Sequence, residues 1–420
     1  MPASSSMDDR DPAAYHDWEA RLAPVPPRER PVPLRVPMPL DSTRAGQARR
    51  IAFLRGRGVE VPYLEGRGGP PDPEALRGNV EHFVGMAQLP VGLIGPLRVN
   101  GLHLREDVFV PLATSEGALV ASYDRGARIL SRAGGAVCML VEEEVQRAPA
   151  FAFARLAQAA RFAEWATARV ELFREIAARE SRYGRLVWMR AHLEANHVYL
   201  MFSYRTGDAA GQNMVTFATA AICREILERT PVRPEYWFVE SNLSGDKKAS
   251  AARFLNTRGR RVTAEALLPR TLVTRGLRAT PERMCDCWRM GLLGGVQTGA
   301  MGASSHVANA LAALFVACGQ DVACVAEAGL AVLRMEVRDG DLYVALTLPN
   351  LIVGTVGGGT RLPTARECLA ILDCVGAGKA GRFAEICAAV ALAGEVSIVG
   401  ALAAGEFAAA HQRLGRGPVG

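Results

Sequence analysis

Three lysines stand against 46 arginines among the 49 basic residues, and two of them, Lys247 and Lys248, are adjacent in Glu240–Ser250, ESNLSGDKKAS. Arginine keeps its proton and spreads its charge over a planar fork, whereas a lysine ammonium is a compact charge that titrates when buried. Two ammonium groups after Ser-Gly-Asp suit a loop that needs a point cation at one place; a solvated turn has the same composition. Asp321 follows the apolar run His306–Cys318, HVANALAALFVAC. A carboxylate there faces the negative end of a helix and requires a partner. Glu116 stands in Thr114-Ser115-Glu116-Gly117, between a strand-like and a helix-like run. With Thr114 or Ser115 as cap, it falls in the first helical turn, where the dipole favours a carboxylate whether or not it has another task. The glycine-rich turns Gly207–Gly211 and Gly354–Thr360 can offer bare backbone N–H groups to a phosphate or a pantetheine-like chain, or act only as turns. His306 and Asn309 are one helical turn apart, and His411 is a lone histidine near the end of the chain.

The elements that must carry these groups follow from periodicity and punctuation. Residues 1–40 are rich in Pro and Arg and predict a mobile or draped arm. Arg44–Arg55 predicts a basic helix ending at Gly56, and 79–96 predicts an extended, turn-rich segment. Asp107–Ala113 predicts a strand, and Ala118–Arg132 a helix ending at Gly134. Helical patterns at 153–167 and 170–179, strands at 185–193 and 197–204, and a helix opened by 205–214 and running to Leu227 predict a small α+β unit inserted in a larger one. Beyond the lysine loop, 262–268 predicts a strand, and Pro281–Met301 a helix as far as its glycines. A hairpin around Arg338-Asp339-Gly340 comes next, and two helices close the chain.

Composition excludes several classes. At 420 residues, with 49% hydrophobic and 22% charged residues, the chain predicts a globular protein of two or three domains. A net charge of +6 without basic blocks or interleaved aromatics excludes a nucleic-acid partner and leaves anionic small molecules as partners for the arginines. Nine cysteines without paired spacing predict reduced thiols and a cytoplasmic location, and Cys285 and Cys287, two apart, make no metal pair. The N-terminus lacks the apolar core of a signal peptide. The run 388–404, interrupted by Gly394, Glu395 and Gly400, predicts a buried helix and no membrane anchor.

Taken in order, PVGLIGP (90–96), PLATSEGALVAS (111–122), GDAAGQNM (207–214), GDKK (245–248), HVAN (306–309), ACGQD (317–321), GTVGGGT (354–360) and ALAAG (401–405), followed by His411, resemble the catalytic portion of the hydroxymethylglutaryl-CoA reductase family. The membrane-spanning region of its animal members has no counterpart here. The resemblance implies an α+β fold: a large substrate and CoA domain (79–152 and 249–420) with a small inserted ferredoxin-like NAD(P)-binding domain (153–238). An arm (1–40), a helical segment (41–78) and a catalytic loop (239–248) complete it. It implies two hydride transfers from NADPH, with NADH as the alternative, through a thiohemiacetal and an aldehyde to mevalonate. Lys247 would stabilise the oxyanion, and Glu116 would hold a proton for part of the cycle, a state that burial and a neighbouring carboxylate favour. Asp321 would couple the two, and His411 would protonate the departing CoA thiolate. Asp208, Gly211, Asn213 and Met214 match the cofactor motif. Arg125, Asp246, Lys248, Arg289, Asn309, Gly357 and Gly358 match substrate contacts, Arg289 replacing a lysine. No metal is implied. The active site is expected between subunits of a homodimer or homotetramer acting on a small-molecule acyl-CoA.

Departures from the family pattern are His82, Ala152 (with Arg155 the nearest replacement arginine), Glu240, Val325 and Glu406. Those at 152 and 240 concern the acyl carboxylate. They motivate one alternative, a reductase of a different branched 3-hydroxyacyl-CoA; a catalytically silent CoA- or nucleotide-binding relative stands as a third reading, against which the Glu116, Lys247, Asp321 and His411 set counts.

Overall fold

The computed structural model describes residues 18–409 and Gln412. Residues 18–40 are draped over the body and are not loose. Val25 N–H donates to the Gly134 carbonyl, Arg98 reaches the carbonyls of Val25 and Pro31, and Val36 is buried. Helix α1 (Arg44–Arg55) takes Thr43 as its cap, the Thr43 oxygen accepting from Gly46 N–H, and ends at Gly56.

Strands β1 (Val91–Gly101) and β2 (Arg105–Ala113) form an antiparallel hairpin. Eight of the eleven residues of β1 are buried, as in a strand covered on both faces. Helix α2 (Leu119–Arg132) then leads to β3 (Ala136–Arg147), whose start runs parallel to β1. β3 is the hinge of the architecture: its N-terminal part pairs with β8 and its last residues, Val145–Arg147, pair with β6.

The smaller part of the sheet begins at β4 (Ala150–Ala152). It continues through helices α3 (Leu156–Thr167) and α4 (Val170–Glu180), the hairpin β5 (Arg185–Glu194) and β6 (His197–Arg205), helix α5 (Gln212–Arg229) and β7 (Tyr236–Phe238). Its strands lie in the order β5-β6-β4-β7, all antiparallel, the ferredoxin-like arrangement expected. β8 (Gly259–Leu268), helices α6 (Arg270–Leu277), α7 (Pro281–Thr298) and α8 (Val307–Ala317), the hairpin β9 (Val332–Arg338) and β10 (Asp341–Leu351), and helices α9 (Pro363–Ile371) and α10 (Ala380–Ala403) complete the larger part. α7 runs through Gly291 and Gly294 and stops at Gly299, whose φ of 69° ends it in the left-handed conformation.

α10 is the centre of the core. It packs on α2, α8, β3 and β8. Gly126 of α2 has Ala393 backbone where a Cβ would sit, so the two helices touch main chain to main chain. By length and composition α10 could cross a membrane, but 89% of its most apolar window is buried inside the protein. Its two interior carboxylates, Glu385 and Glu395, are buried, and each accepts two backbone N–H bonds from a neighbouring loop.

Candidate functional site

Four segments far apart in sequence converge around Lys247. Its φ of 55° is left-handed, unusual for a side chain with a Cβ, and its N–H donates to Glu327 Oε1 at 3.2 Å. Its ammonium lies 2.8 Å from Asp321 Oδ2, which also accepts from Gln212 Nε2 at 3.0 Å. This is the partner that Asp321 required. Burial works against ionisation of Asp321, but the bonds from Lys247 and Gln212 outweigh it and hold its carboxyl below the ordinary range. The hydrogen bond to Asp321 in turn raises the Lys247 ammonium above its usual pKa.

The two glycine-rich turns meet beside this pair. Ala209 bridges Val356, and Thr355 N–H donates to the Asp208 carbonyl at 2.9 Å. A Cβ on Gly354 would run into the backbone of Ala209 and Ala210, so the contact requires glycine. Gln320, one residue before Asp321, accepts from Gly354 N–H at 2.8 Å. Gly211 caps α5 in the left-handed conformation without a side-chain bond, which leaves the first N–H groups of that helix open beside Gly207, Gly357 and Gly358. An anion such as a nucleotide diphosphate fits such bare backbone. Asp208 ties the turn to the start of α10, accepting from Gly378 and Ala380 N–H. Met214 packs its sulfur against Gly184, and Asn213 is exposed at the helix start.

Glu116 is elsewhere, in a cleft of about 640 Å³ lined also by Arg125, Arg128, His306, Asn309 and Phe407. It does not lie in the first turn of α2, as the sequence suggested. Thr114 Oγ1 accepts the Glu116 N–H, closing a turn ahead of the helix, and Ala118 enters α2 with a φ of 70°. Glu116 is exposed in the single chain, so this chain alone does not supply the burial expected for it. Asn309 Nδ2 donates to its Oε2 at 2.7 Å. His306 stacks on Tyr123 at 5.1 Å, and Arg125 grips Ser397 of α10 through its hydroxyl and carbonyl. Glu395 caps α8 from outside, accepting the N–H groups of Ser305 and His306, and so holds the Asn309 end of that helix in place.

The structure therefore forms two clusters, at opposite ends of α8. The helix has 11 residues and is about 16 Å long at 1.5 Å per residue. Lys247, Asp321, Gln212 and the glycine turns occupy its C-terminal end; Glu116, Asn309, His306 and Arg125 occupy the other. Asp246 is turned inward onto Arg147 and Arg258, and Lys248 Nζ bonds the Asp246 carbonyl on the exposed face of the loop. Arg289 joins neither cluster; it pairs with Asp286 on the exposed face of α7. Ala152 is buried in β4, and Arg155 stands at the N-cap position of α3, its N–H donating to Gln158 Oε1. His411 lies outside the described residues. A shallower hollow of about 410 Å³ near Arg278, Arg283 and Gly405 contains none of the candidate residues. Gln212, Glu395, Glu327 and Arg258 escaped the sequence reading. Glu395 left a signal, a lone carboxylate in an apolar run; the arginines, in so arginine-rich a chain, left none.

The chain is similar to known proteins over most of its length. The sequence model of the family described as hydroxymethylglutaryl-coenzyme A reductase matches residues 47–416. The 3-hydroxy-3-methylglutaryl-coenzyme A reductase of Pyrococcus abyssi is 40% identical over 385 residues, covering 90% of this chain and 94% of that protein. The one from Methanothermobacter thermautotrophicus is 42% identical over 382 residues, covering 90% and 95%. Among solved structures, the class II 3-hydroxy-3-methylglutaryl-CoA reductase from Streptococcus pneumoniae, bound to NADPH in open conformations, superposes with a TM-score of 0.68. It shares 18% identity, and the match covers 84% of this chain and 96% of that one.

Proposed function

The chain belongs to the hydroxymethylglutaryl-coenzyme A reductase family, and from that premise we propose which of its residues reduce 3-hydroxy-3-methylglutaryl-CoA to mevalonate and free CoA. NADPH supplies the hydride for each of the two reductions. The observation that carries the residue assignment is the Lys247 ammonium, 2.8 Å from Asp321 at the meeting point of both glycine turns. There a fixed cation meets the thioester oxygen as negative charge develops on it, an electrostatic contribution commonly worth about 3–4 kcal/mol. Asp321 holds that cation in place and keeps it protonated. The open backbone of 207–214 receives the cofactor phosphates, which assigns the 153–238 unit to the cofactor and the remainder, with Gly357 and Gly358, to the acyl-CoA. Glu116, steadied by Asn309, exchanges a proton with the substrate oxygen, and His411 returns one to the CoA sulfur.

These roles require Glu116 and Lys247 at one reacting carbon, and α8 holds them at opposite ends of one chain. We therefore assign each active site to two copies of the chain, in a homodimer or a homotetramer built from dimers. Support comes from α7, which leaves Met290, Leu293 and Val296 exposed on one face, an apolar surface suited to a second copy. All nine cysteines are unpaired, in keeping with a reducing, cytoplasmic setting.

The test follows loss of reduced-nicotinamide absorbance with 3-hydroxy-3-methylglutaryl-CoA and with close analogues. Turnover with that substrate ahead of the analogues is expected. Silence with every acyl-CoA would sink the enzymatic reading, and preference for an analogue would reassign the substrate.

A further inference from the structure

Beneath Lys247 runs a line of paired charged side chains, most of which no motif singled out. Glu327 and Arg258 are fully buried and paired at 2.5 Å. Arg258 Nη2 lies 2.7 Å from Asp246 Oδ1, an ion contact without hydrogen-bond alignment. Asp246 Oδ2 is 3.1 Å from Arg147 Nη1, and the same nitrogen is 2.9 Å from Glu240 Oε2. The signs alternate from end to end. Glu240 then folds its own loop: its carboxylate accepts the N–H groups of Ser241 and Asn242 and the Ser244 hydroxyl. At the other terminus, Glu327 accepts the N–H of Lys247 itself. A second arm closes the circuit, since Arg147 Nη2 reaches the carbonyl of Gln212, whose side chain bonds Asp321.

We propose that this chain, Glu327–Arg258–Asp246–Arg147–Glu240, buried at Glu327, Arg258 and Arg147 and half-buried at the other two, is the positioning device of Lys247. It clamps the loop at both ends and holds the left-handed backbone at residue 247 that delivers the ammonium to Asp321. Left-handed backbone at a residue with a Cβ is unfavourable and persists only where surrounding contacts over-determine it. The chain supplies those contacts. Glu240 is on this account a positioning residue whose carboxylate is spent on its own loop and Arg147. Removing its charge leaves Arg147 shared by Asp246 alone, and the loop loses the anchor four residues ahead of Gly245's neighbour Ser244.

The inference rests on the reading of Lys247 as the active cation, and the scarcity of lysine makes it testable without turnover. Glu240→Gln removes one charge and keeps an acceptor oxygen. Arg258→Met/Glu327→Leu removes the buried pair together, so that no lone charge is left inside. Both variants are compared with the parent in kcat and KM. Lys247 is followed separately by competitive acetylation over a pH series, read by mass spectrometry against Lys379 as internal reference.

For Glu240→Gln the expected result is a fall in kcat of about tenfold to 100-fold, the scale on which a misplacement of about 1 Å acts, with KM within about twofold. The midpoint of Lys247 acetylation should move to lower pH as the ammonium loses Asp321. A folded Glu240→Gln with parental kcat and parental Lys247 reactivity overturns the inference, as does a fall in kcat with Lys247 reactivity unmoved. Should the double variant fail to fold, Glu240→Gln decides alone. A parent that oxidises no NADPH removes the assigned reaction, while the acetylation series still decides whether the chain positions Lys247.

Discussion

Lys247 is the residue to which we assign the oxyanion, and its neighbours make its state definite. The bond to Asp321 raises its pKa, and Asp321 is held below the ordinary carboxylate range, so the pair stays ionised across the neutral range. Lys247→Ala is expected to lower kcat at least about 100-fold to 1000-fold, the cost of removing one oxyanion partner. The melting temperature should stay close to the parent's, since a pair this exposed contributes little to stability. Retention of near-normal kcat would show that another group meets the oxyanion. At this scale the sequence was informative where a residue type is rare and silent where it is common. Two adjacent lysines in an arginine-rich chain drew attention to the loop, whereas Arg147 and Arg258 could not be told from the other arginines. Glu240 read as a change in substrate contacts, yet the structure turns it onto Arg147 and its own loop. A carboxylate in the same loop as Asp246 invites a ligand; only the fold reveals the buried Arg147 guanidinium between them.

Among the elements, α10 holds the most unusual chemistry, because two carboxylates lie inside a core helix. Burial pushes Glu385 up to about 7, against the N–H bonds from His103 and Leu102 and the weaker pull of Arg21. A carboxyl raised in the folded state favours the protonated form there. The stability this contributes is complete below its ordinary value of 4.5 and is lost as pH rises through about 7. A rise of that size corresponds to roughly 3 kcal/mol. Thermal melts at a series of pH values should show the parent losing a few degrees between mildly acid and mildly alkaline buffer beyond what Glu385→Gln loses. Parallel curves for the two proteins would mean that the Glu385 site is already hydrated. Alternation and apolar periodicity made most elements legible, including the hairpin of β9 and β10, whose turn residues Asp339 and Gly340 both take positive φ. The entry to α2 was not. A Thr–Ser pair before a glutamate reads as a helix cap, but the Thr114 hydroxyl bonds Glu116 N–H one turn early, and Ala118 turns the chain into the helix.

At the scale of the molecule, α8 separates the two groups of residues to which we assign the reaction. Glu116 and Asn309 stand at its start and Asp321, with Lys247, past its end, although in sequence Glu116 and Lys247 are distant motifs with no sign of which end each joins. That Asn309 and Asp321 lie at opposite ends of one helix is legible in their spacing; that Glu116 joins the first and Lys247 the second follows from packing, and no spacing rule shows it. If one reacting centre takes Glu116 from one copy and Lys247 from the other, two dead variants should repair each other. Glu116→Ala and Lys247→Ala homodimers each lack an essential group in both sites. A mixed dimer concentrates both defects in one site and leaves the other intact. Coexpression in equal amounts makes about half of the dimers mixed, each with one working site of two, so about a quarter of the parental activity should return. Size-exclusion chromatography confirms that the mixture has the parental assembly state, and differently tagged chains allow the mixed dimer to be isolated at about half the parental activity per dimer. If each site were built within one chain, the mixed dimer would carry one defect in each site. Its activity would then stay at the level of the single variants however the chains were combined.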